Sequence, residues 1–176
     1  TIYRQTTAKA EKNQFNDKKW IMNPIVNIQS LNPDLFGDLR NTVEREIFSN
    51  DVICGAAKNI LNERPKIVQS MYFEGNSATW EHQDSYYLES EKVGEMTAAW
   101  IALEEIKADA GRFFICPGSH KIEHGKQNIN NNIADNHDKY IQEVVSIIKS
   151  KNMTIRAPYM DTGDVLFWNS WTIHGS

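Results

Sequence analysis

Two short stretches of the sequence carry side chains that can bind a metal ion. The first, SATWEHQDSYYLES at residues 77–90, contains His82 and Asp84, and the second, GDVLFWNSWTIHGS at residues 163–176, contains His174. On a β-strand, positions i and i+2 point to the same face about 6.5 Å apart, so the imidazole and the carboxylate can converge on one ion. A third ligand must then come from a facing strand, and His174 lies in the last strand-like run. Two neutral imidazoles and one carboxylate suit non-haem Fe(II) and leave three positions open, for a bidentate co-substrate and for dioxygen.

The same spacing also fits an ordinary hydrogen bond between a histidine and a nearby aspartate. Because His-x-Asp triplets arise often by chance, spacing alone does not decide between these two interpretations. The other histidines compete weakly for a metal ion: His120 follows a Pro-Gly-Ser turn, His124 lies in a polar loop, and His137 precedes a helix. Each of the three is predicted to be solvated rather than ligating.

Composition excludes several classes of function. The 176 residues are 40% hydrophobic and 24% charged, which is ordinary for a globular domain. A net charge of −4 gives no basic surface for nucleic acid or anionic lipid. No window approaches about 18 consecutive apolar residues, so no membrane span is predicted. Residues 1–20 lack the apolar segment of a secretory signal, and Cys54 and Cys116 are isolated, so we predict a cytoplasmic protein with two free, buried thiols.

Helix signals come first along the chain, in a helical part covering about residues 30–64. Asn32 is a good N-cap, and Pro33 suits the first helical position, where its missing N–H costs nothing. Asp51 is predicted to cap the second helix, and Pro65 marks its end. The inward faces are predicted to contain Leu35, Leu39, Val43 and Ile47 in the first helix and Ile53, Ala57, Ile60 and Leu61 in the second.

Strand signals follow, in a β core covering about residues 66–176 with one inserted helix at about 137–150. Helices followed by closely spaced strands predict an α+β fold with a β-sandwich or barrel core, in a single domain over residues 1–176. The apolar stripe of the inserted helix consists of Tyr140, Val144, Ile147 and Ile148. The strand-like runs are 66–74, 82–89, 95–106, 111–118, 153–160 and 165–176.

The motifs from residue 69 onward resemble those of the phytanoyl-CoA dioxygenase family of Fe(II)/2-oxoglutarate-dependent oxygenases. They are QSMY, HQD, TAAWIALEEIKADAGRFFICPGSHK and GDVLFWNSWTIHGS, in the family's order. The third is the most specific, because its Trp-x-Ala-Leu strand, glycine-containing turn and Pro-Gly-Ser-His ending are characteristic together. The resemblance implies a double-stranded β-helix (a jelly-roll, cupin-like core) with flanking helices. It also implies Fe(II) held by His82, Asp84 and His174.

The resemblance further implies a pocket for 2-oxoglutarate as co-substrate. The family places an arginine about ten residues beyond the distal histidine, where it pairs bidentately with the far carboxylate of 2-oxoglutarate. This sequence ends two residues beyond His174, so we expect it to be truncated at its C-terminal end. The co-substrate contacts are predicted to come from Met71, Trp100 and Ser176, with Gln69 and Thr97 as weaker candidates.

The implied reaction is hydroxylation of a small organic molecule, coupled to conversion of 2-oxoglutarate and O2 into succinate and CO2. Halogenating relatives carry a small residue at the carboxylate position, so Asp84 predicts hydroxylation rather than halogenation. The sequence does not identify the substrate, although the variable segment 119–139 is a candidate for the substrate mouth. Two alternatives stay open: a non-redox, cupin-like metal-binding barrel with Zn or Mn on the same ligands, and a catalytically silent binding domain.

Overall fold

The computed structural model of the protein describes residues 12–15, 18–21, 24–73, 79–107, 112–122 and 133–176. The chain divides into two compact units, Thr1–Ser77 and Ala78–Ser176. The prediction of a single domain over residues 1–176 stays a prediction. Over the described ranges, no helix combines the length and the apolarity that a membrane span requires.

The first unit combines short antiparallel strand pairs with two helices separated by one π-helical turn. Strand β1 pairs with β2, and β3 pairs with β4. Strand β4 is much shorter than the predicted run 66–74. In the described part of that run, only Met71 and Tyr72 pair with another strand. The elements are β1 (Lys12–Phe15), β2 (Lys18–Ile21), β3 (Ile25–Val26), α1 (Pro33–Val43), the π-helical turn Glu44–Phe48, α2 (Asp51–Leu61) and β4 (Met71–Tyr72).

Both helices of this unit are capped at the N-terminus by an asparagine. The Asn32 side chain accepts a hydrogen bond from a first-turn backbone N–H at 2.8 Å, and Pro33 occupies the first helical position, as predicted. The predicted cap of α2 is wrong by one residue. Asn50 caps it by accepting two backbone N–H groups at 3.0 and 3.2 Å, while Asp51 lies in the first turn, where its charge is favourable to the helix dipole.

The predicted inward face of α1 is wrong at Leu35 and Leu39, which are 64% and 37% exposed. Phe36 has non-helical backbone angles (φ −131°, ψ 23°), which places a kink in this helix. Val43 packs against a small core, as predicted, and Phe36, which was not predicted to face inward, packs against the same core. That core consists of Ile25, Ile28 and Leu31.

Helix α2 buries its middle and leaves its last turn more exposed. Ala57 is buried, as predicted, whereas Ile60 is 52% exposed, contrary to the prediction. The helix ends at Leu61, because Asn62 adopts the left-handed conformation with φ 55°. The stop therefore precedes Pro65, the residue expected to end the helix.

The second unit contains two antiparallel strand pairs and one long helix. Strand β5 pairs with β7 over five residues, and β6 pairs with β8 over two. Within the described ranges the strands of both units pair only two at a time, and the complete jelly-roll stays a prediction. The elements are β5 (Thr97–Ile101), β6 (Phe114–Ile115), α3 (Ile133–Ser150), β7 (Val165–Asn169) and β8 (His174–Gly175).

Helix α3 supplies much of this unit's core. It begins at Ile133, four positions before the predicted start of about 137. Tyr140 and Val144 are buried together with Cys116 and Ile173, so the predicted apolar stripe is confirmed. Both cysteines are free, but only Cys116 is fully buried and Cys54 is half-buried. The partly buried residues around this cluster are Tyr86, Ile141, Ile147, Ile148 and Met153.

Two predicted strands do not form. In the run 82–89, His82 makes an isolated bridge and residues Asp84–Tyr86 form a 3-10 turn. In the run 153–160, Arg156 and Met160 make isolated bridges without a ladder. Both runs contain the aromatic or β-branched residues that favour strands, but each meets its partner only at isolated bridges.

Candidate metal centre

The three side chains predicted as metal ligands meet at one point in the second unit. Nε2 of His174 lies 3.4 Å from Oδ1 of Asp84, and Nε2 of His82 lies 3.6 Å from the same oxygen. One ligand atom of each residue lies within 4.8 Å of the other two. Ligands about 2.1 Å from an ion and about 90° apart lie about 3 Å from one another. The group is therefore close to the spacing that a shared metal ion requires.

The HQD motif reaches this point without the predicted strand. His82 and His174 form an antiparallel bridge with two backbone hydrogen bonds of 2.9 Å, which sets their ring centroids 4.3 Å apart. Gln83 keeps an extended backbone (φ −113°, ψ 132°), so the residues before and after it project to one side. Its own side chain is buried and donates to the Trp171 carbonyl at 2.5 Å. Asp84 then begins the 3-10 turn.

Backbone carbonyls fix the orientation of both imidazoles. Nδ1 of His82 lies 2.7 Å from the Trp80 carbonyl, and Nδ1 of His174 lies 2.8 Å from the Thr172 carbonyl. A carbonyl only accepts hydrogen bonds, so each Nδ1 carries a proton, and in the neutral ring the lone pair is then on Nε2. That tautomer is the one a metal requires at Nε2. The sequence could not reveal these partners, because every residue has a carbonyl.

The carboxylate of Asp84 uses its two oxygens differently. Oδ1 faces the two imidazoles, and Oδ2 accepts a hydrogen bond from the indole N–H of Trp168 at 2.9 Å. Burial raises the pKa of this carboxyl, but the hydrogen bonds and charge interactions that His174 and His82 make with it when their rings are protonated outweigh burial and hold the pKa below its usual range. Asp84 is therefore ionised at neutral pH. Sequence reasoning did not single out Trp168 within its aromatic strand.

A wall of aromatic rings lies beside His174 and Asp84. The ring centroid of Trp168 lies 5.0 Å from that of His174, and Phe113 lies 5.3 Å from His174 and 4.6 Å from Trp168. Trp100 packs on Phe113 at 4.8 Å, and the strand register places Trp100 on the same face of the β5–β7 pair as Trp168. Trp100 thus lies one ring away from the candidate centre, and its contact with 2-oxoglutarate stays a prediction.

The other predicted co-substrate residues occupy varied positions. The Thr97 hydroxyl donates to a backbone carbonyl of β7 at 2.8 Å, and Ser176 exchanges two backbone hydrogen bonds with Thr79 at 2.9 and 3.1 Å. Met71, 45% exposed, and Gln69, also exposed, lie in the first unit. The contacts of these four residues with 2-oxoglutarate stay predictions.

The remaining histidines lie outside the group of three wherever the structure describes them. His120 is exposed in a 3-10 turn, and His124 lies outside the described residues. His137 is inside α3, with Nε2 2.7 Å from the Tyr87 hydroxyl. Burial raises the pKa of Tyr87 to about 12, so its hydroxyl stays protonated. Tyr87 also packs edge-on against His82, with ring centroids 5.5 Å apart.

A tight turn supports the strand that carries His174. Ser119 N–H donates to the Cys116 carbonyl at 3.1 Å, and Gly118 has φ 85° and ψ −7°. These angles define a type II turn, which favours proline followed by glycine at its centre, as in the sequence CPGS. The fully buried Ser119 hydroxyl donates to Cys116 O at 2.6 Å and accepts the Ile173 N–H at 2.7 Å.

Replacing Ser119 with alanine is expected to destabilise the protein by about 1–3 kcal/mol, because the buried Ile173 N–H loses its acceptor. Urea denaturation followed by circular dichroism measures the change. The matched control is Ser150→Ala, whose exposed hydroxyl bonds a carbonyl of its own helix at 3.3 Å. Equal stability of the two variants would contradict the supporting role of the turn.

Similarity to known proteins identifies the family to which this chain belongs. The phytanoyl-CoA dioxygenase (PhyH) family model matches residues 3–176. The chain belongs to the phytanoyl-CoA dioxygenase family. The resemblance predicted from the motifs is thereby confirmed.

Two relatives match this member of the phytanoyl-CoA dioxygenase family over only part of their own length. The phytanoyl-CoA dioxygenase domain-containing protein 1 homolog of Caenorhabditis elegans is 34% identical over 84 residues, which are 46% of this chain and 29% of the relative. Phytanoyl-CoA dioxygenase domain-containing protein 1 of Mus musculus is 28% identical over 117 residues, 62% of this chain and 39% of the relative. The matched region thus spans well under half of these relatives.

A solved structure shares the fold of this family member. It is the crystal structure of EctD from S. alaskensis in its apoform, with a TM-score of 0.63 and 14% sequence identity. The match covers 96% of this chain and 54% of the EctD chain. The chain therefore spans about half the length of that structure.

Proposed function

We propose that this member of the phytanoyl-CoA dioxygenase family is a non-haem Fe(II)- and 2-oxoglutarate-dependent dioxygenase that hydroxylates a small organic molecule on a double-stranded β-helix scaffold. The observation that carries the proposal is the convergence of Nε2 of His82, Nε2 of His174 and Oδ1 of Asp84. Membership of the family supports it, because Fe(II) and 2-oxoglutarate are the expectation for that family.

The donor set fits Fe(II) better than a closed structural metal. Two imidazole nitrogens and one carboxylate oxygen on one side of an ion leave further positions open, whereas a structural Zn site is usually closed by four protein ligands. Both imidazoles have Nδ1 on a backbone carbonyl, which leaves Nε2 for an ion, and the pKa of the Asp84 carboxyl is held below its usual range. Among the described residues, His82, Asp84 and His174 are the histidine, cysteine or acidic side chains whose ligand atoms lie close enough together to hold such an ion.

Of the three ligand side chains, that of Asp84 is the most exposed. The His174 side chain is 4% exposed and the His82 side chain 13%, whereas the Asp84 side chain is 26% exposed. The aromatic wall closes the side next to His174, where Phe113 is 9% exposed. We therefore propose that substrate approaches past Asp84, and that the wall keeps bulk water from the opposite side.

The division of labour in the proposed reaction follows from these positions. Bound Fe(II) would supply the activation of O2, coupled to oxidation of 2-oxoglutarate to succinate and CO2. His82 and His174 would hold the ion through Nε2, while their Nδ1–H groups stay on backbone carbonyls. Asp84 would supply the third ligand and occupy the position that a halide takes in halogenating relatives, so we propose hydroxylation.

The test has an anaerobic and an aerobic arm. The full-length protein with Fe(II) and 2-oxoglutarate under anaerobic conditions is expected to show a weak visible charge-transfer band, and admission of air is expected to yield succinate. His174→Ala serves as the control and should give neither signal. Metal binding without the band or succinate would favour a non-redox metal-binding barrel, and failure to bind metal would favour a silent binding domain.

A further inference from the structure

We propose that Trp168 is a positioning residue that keeps Asp84 bound to the metal through a single oxygen. The inference rests on the proposed metal centre. It goes beyond that proposal because it concerns a residue that would not touch the metal, and because it concerns how many positions on the ion stay open.

The first step is the hydrogen bond. The indole N–H of Trp168 donates to Oδ2 of Asp84 at 2.9 Å, while Oδ1 faces Nε2 of His174 and of His82 at 3.4 and 3.6 Å. Hydrogen bonds to a charged carboxylate are stronger than those between neutral groups. Turning the carboxylate so that both oxygens face the ion would break this bond. The hydrogen bond therefore favours monodentate ligation.

The second step is the rigidity of the donor. Trp168 lies in β7, where its ring is held by Phe113 at 4.6 Å and by His174 at 5.0 Å. Its partner in the strand register is Ala98, whose small side chain leaves room for the indole on that face of the strand pair. An indole fixed on a paired strand points its N–H in one direction, so the ring can orient the carboxylate.

The third step is the consequence for coordination. With one oxygen from Asp84 and two imidazole nitrogens, a six-coordinate ion keeps three positions open. With both oxygens bound, it keeps two. The proposed reaction would need three, two for 2-oxoglutarate and one for O2. Trp168 would thus preserve the position for O2, although it lies outside the group of ligands.

The experiment compares Trp168→Phe with Trp100→Phe, in the whole chain and without co-substrate. Both variants replace an indole in the same aromatic wall, but only Trp168 bonds Asp84. Co(II) affinity is measured by competition with a chromophoric chelator, and the visible Co(II) spectrum reports coordination number. Losing an outer-shell hydrogen bond typically costs about 10- to 100-fold in metal affinity. We expect a loss of that size, with an altered spectrum, for Trp168→Phe and little change for Trp100→Phe.

The outcomes separate this inference from the proposed function. A wild-type chain that does not bind Co(II) would overturn the metal centre itself. Wild-type affinity and spectrum in Trp168→Phe would overturn the positioning role alone. Equal losses in the two variants would also overturn it, since they would trace the effect to ring packing rather than to the hydrogen bond.

A measurement on the wild-type chain keeps the inference testable if Trp168→Phe does not fold. The chain is labelled with 15N-tryptophan, and its five indole N–H resonances are followed by NMR. The resonance that paramagnetic Co(II) shifts farthest is expected to belong to Trp168 and to exchange slowly with solvent. Rapid exchange of that proton would overturn the hydrogen bond in solution.

Discussion

Replacing Asp84 with asparagine is expected to lower metal affinity by more than about 100-fold, the upper end of the losses seen for outer-shell partners alone. The amide is neutral, so it loses the charge attraction to the ion. The indole N–H of Trp168, which now donates to Oδ2 at 2.9 Å, would take the amide oxygen. The amide NH2 would then face the two Nε2 atoms, where it donates hydrogen bonds and cannot ligate. Competition with a chromophoric chelator under anaerobic conditions measures the affinity.

The matched control for this substitution is Asp161→Asn. Asp161 is exposed in a turn, where its backbone N–H bonds the Asp164 side chain at 2.8 Å. The control removes the same unit of charge without touching the centre, so it should bind metal like the wild-type chain. If Asp84→Asn retained wild-type affinity, the assignment of Asp84 as a ligand would be wrong.

Replacing Gly175 with alanine is expected to destabilise the protein by about 1–3 kcal/mol, as overpacking a tight site does. A Cβ at this position would lie 2.7 Å from the Thr79 carbonyl oxygen and 2.7 Å from Cζ of Phe114. The Thr79 carbonyl is backbone and already accepts the Ser176 N–H at 3.1 Å, so it cannot yield freely. Because His174 is the preceding residue, metal affinity should fall as well. Urea denaturation and metal titration measure the two effects.

Gly55→Ala is the matched control for the glycine substitution. Gly55 lies inside α2, and a Cβ there would meet no atom within 4 Å. Alanine in a helix interior is favoured over glycine by roughly 0.5–1 kcal/mol, so this variant should be slightly more stable than the wild-type chain. Gly175→Ala with unchanged stability would show that the strand at His174 is less tightly packed than the structure indicates.

The residue types of the candidate centre were predictable from the sequence, but the way they come together was not. His82 and Asp84 were expected to share the face of a regular strand. Instead, one bridge to His174 and one extended residue, Gln83, align them before the chain turns. Spacing in sequence gives the side of the chain on which residues project. It does not give the length of the ladder, which depends on partners far along the chain.

Support around the ligands was largely invisible in the sequence for a different reason. The Nδ1 partners are carbonyls of Trp80 and Thr172, and backbone atoms leave no mark on residue type. Trp168 has a distinctive side chain, but its contact with Asp84 joins residues 84 positions apart. Nothing in its local pattern distinguishes a tryptophan that holds a carboxylate from one that fills a core.

Local rules predicted the start of α1 better than its inward face. Asn32 and Pro33 act through neighbouring backbone groups, so the start of α1 was predicted correctly. Its inward face was wrong at Leu35 and Leu39, because Phe36, at the kink, packs against the core in their place, whereas Val43 packs as predicted. The stripe of α3, with Tyr140 and Val144 at its centre, was correct because that helix carries no such kink.

The measurement that tests the central claim most directly is an anomalous-diffraction map of crystals of the chain grown with Mn(II) as a redox-stable substitute for Fe(II). We predict one strong anomalous peak within bonding distance of Nε2 of His82, Nε2 of His174 and Oδ1 of Asp84, with Oδ2 still on the Trp168 indole. A peak elsewhere, or one that leaves any of these three atoms unbound, would contradict the account.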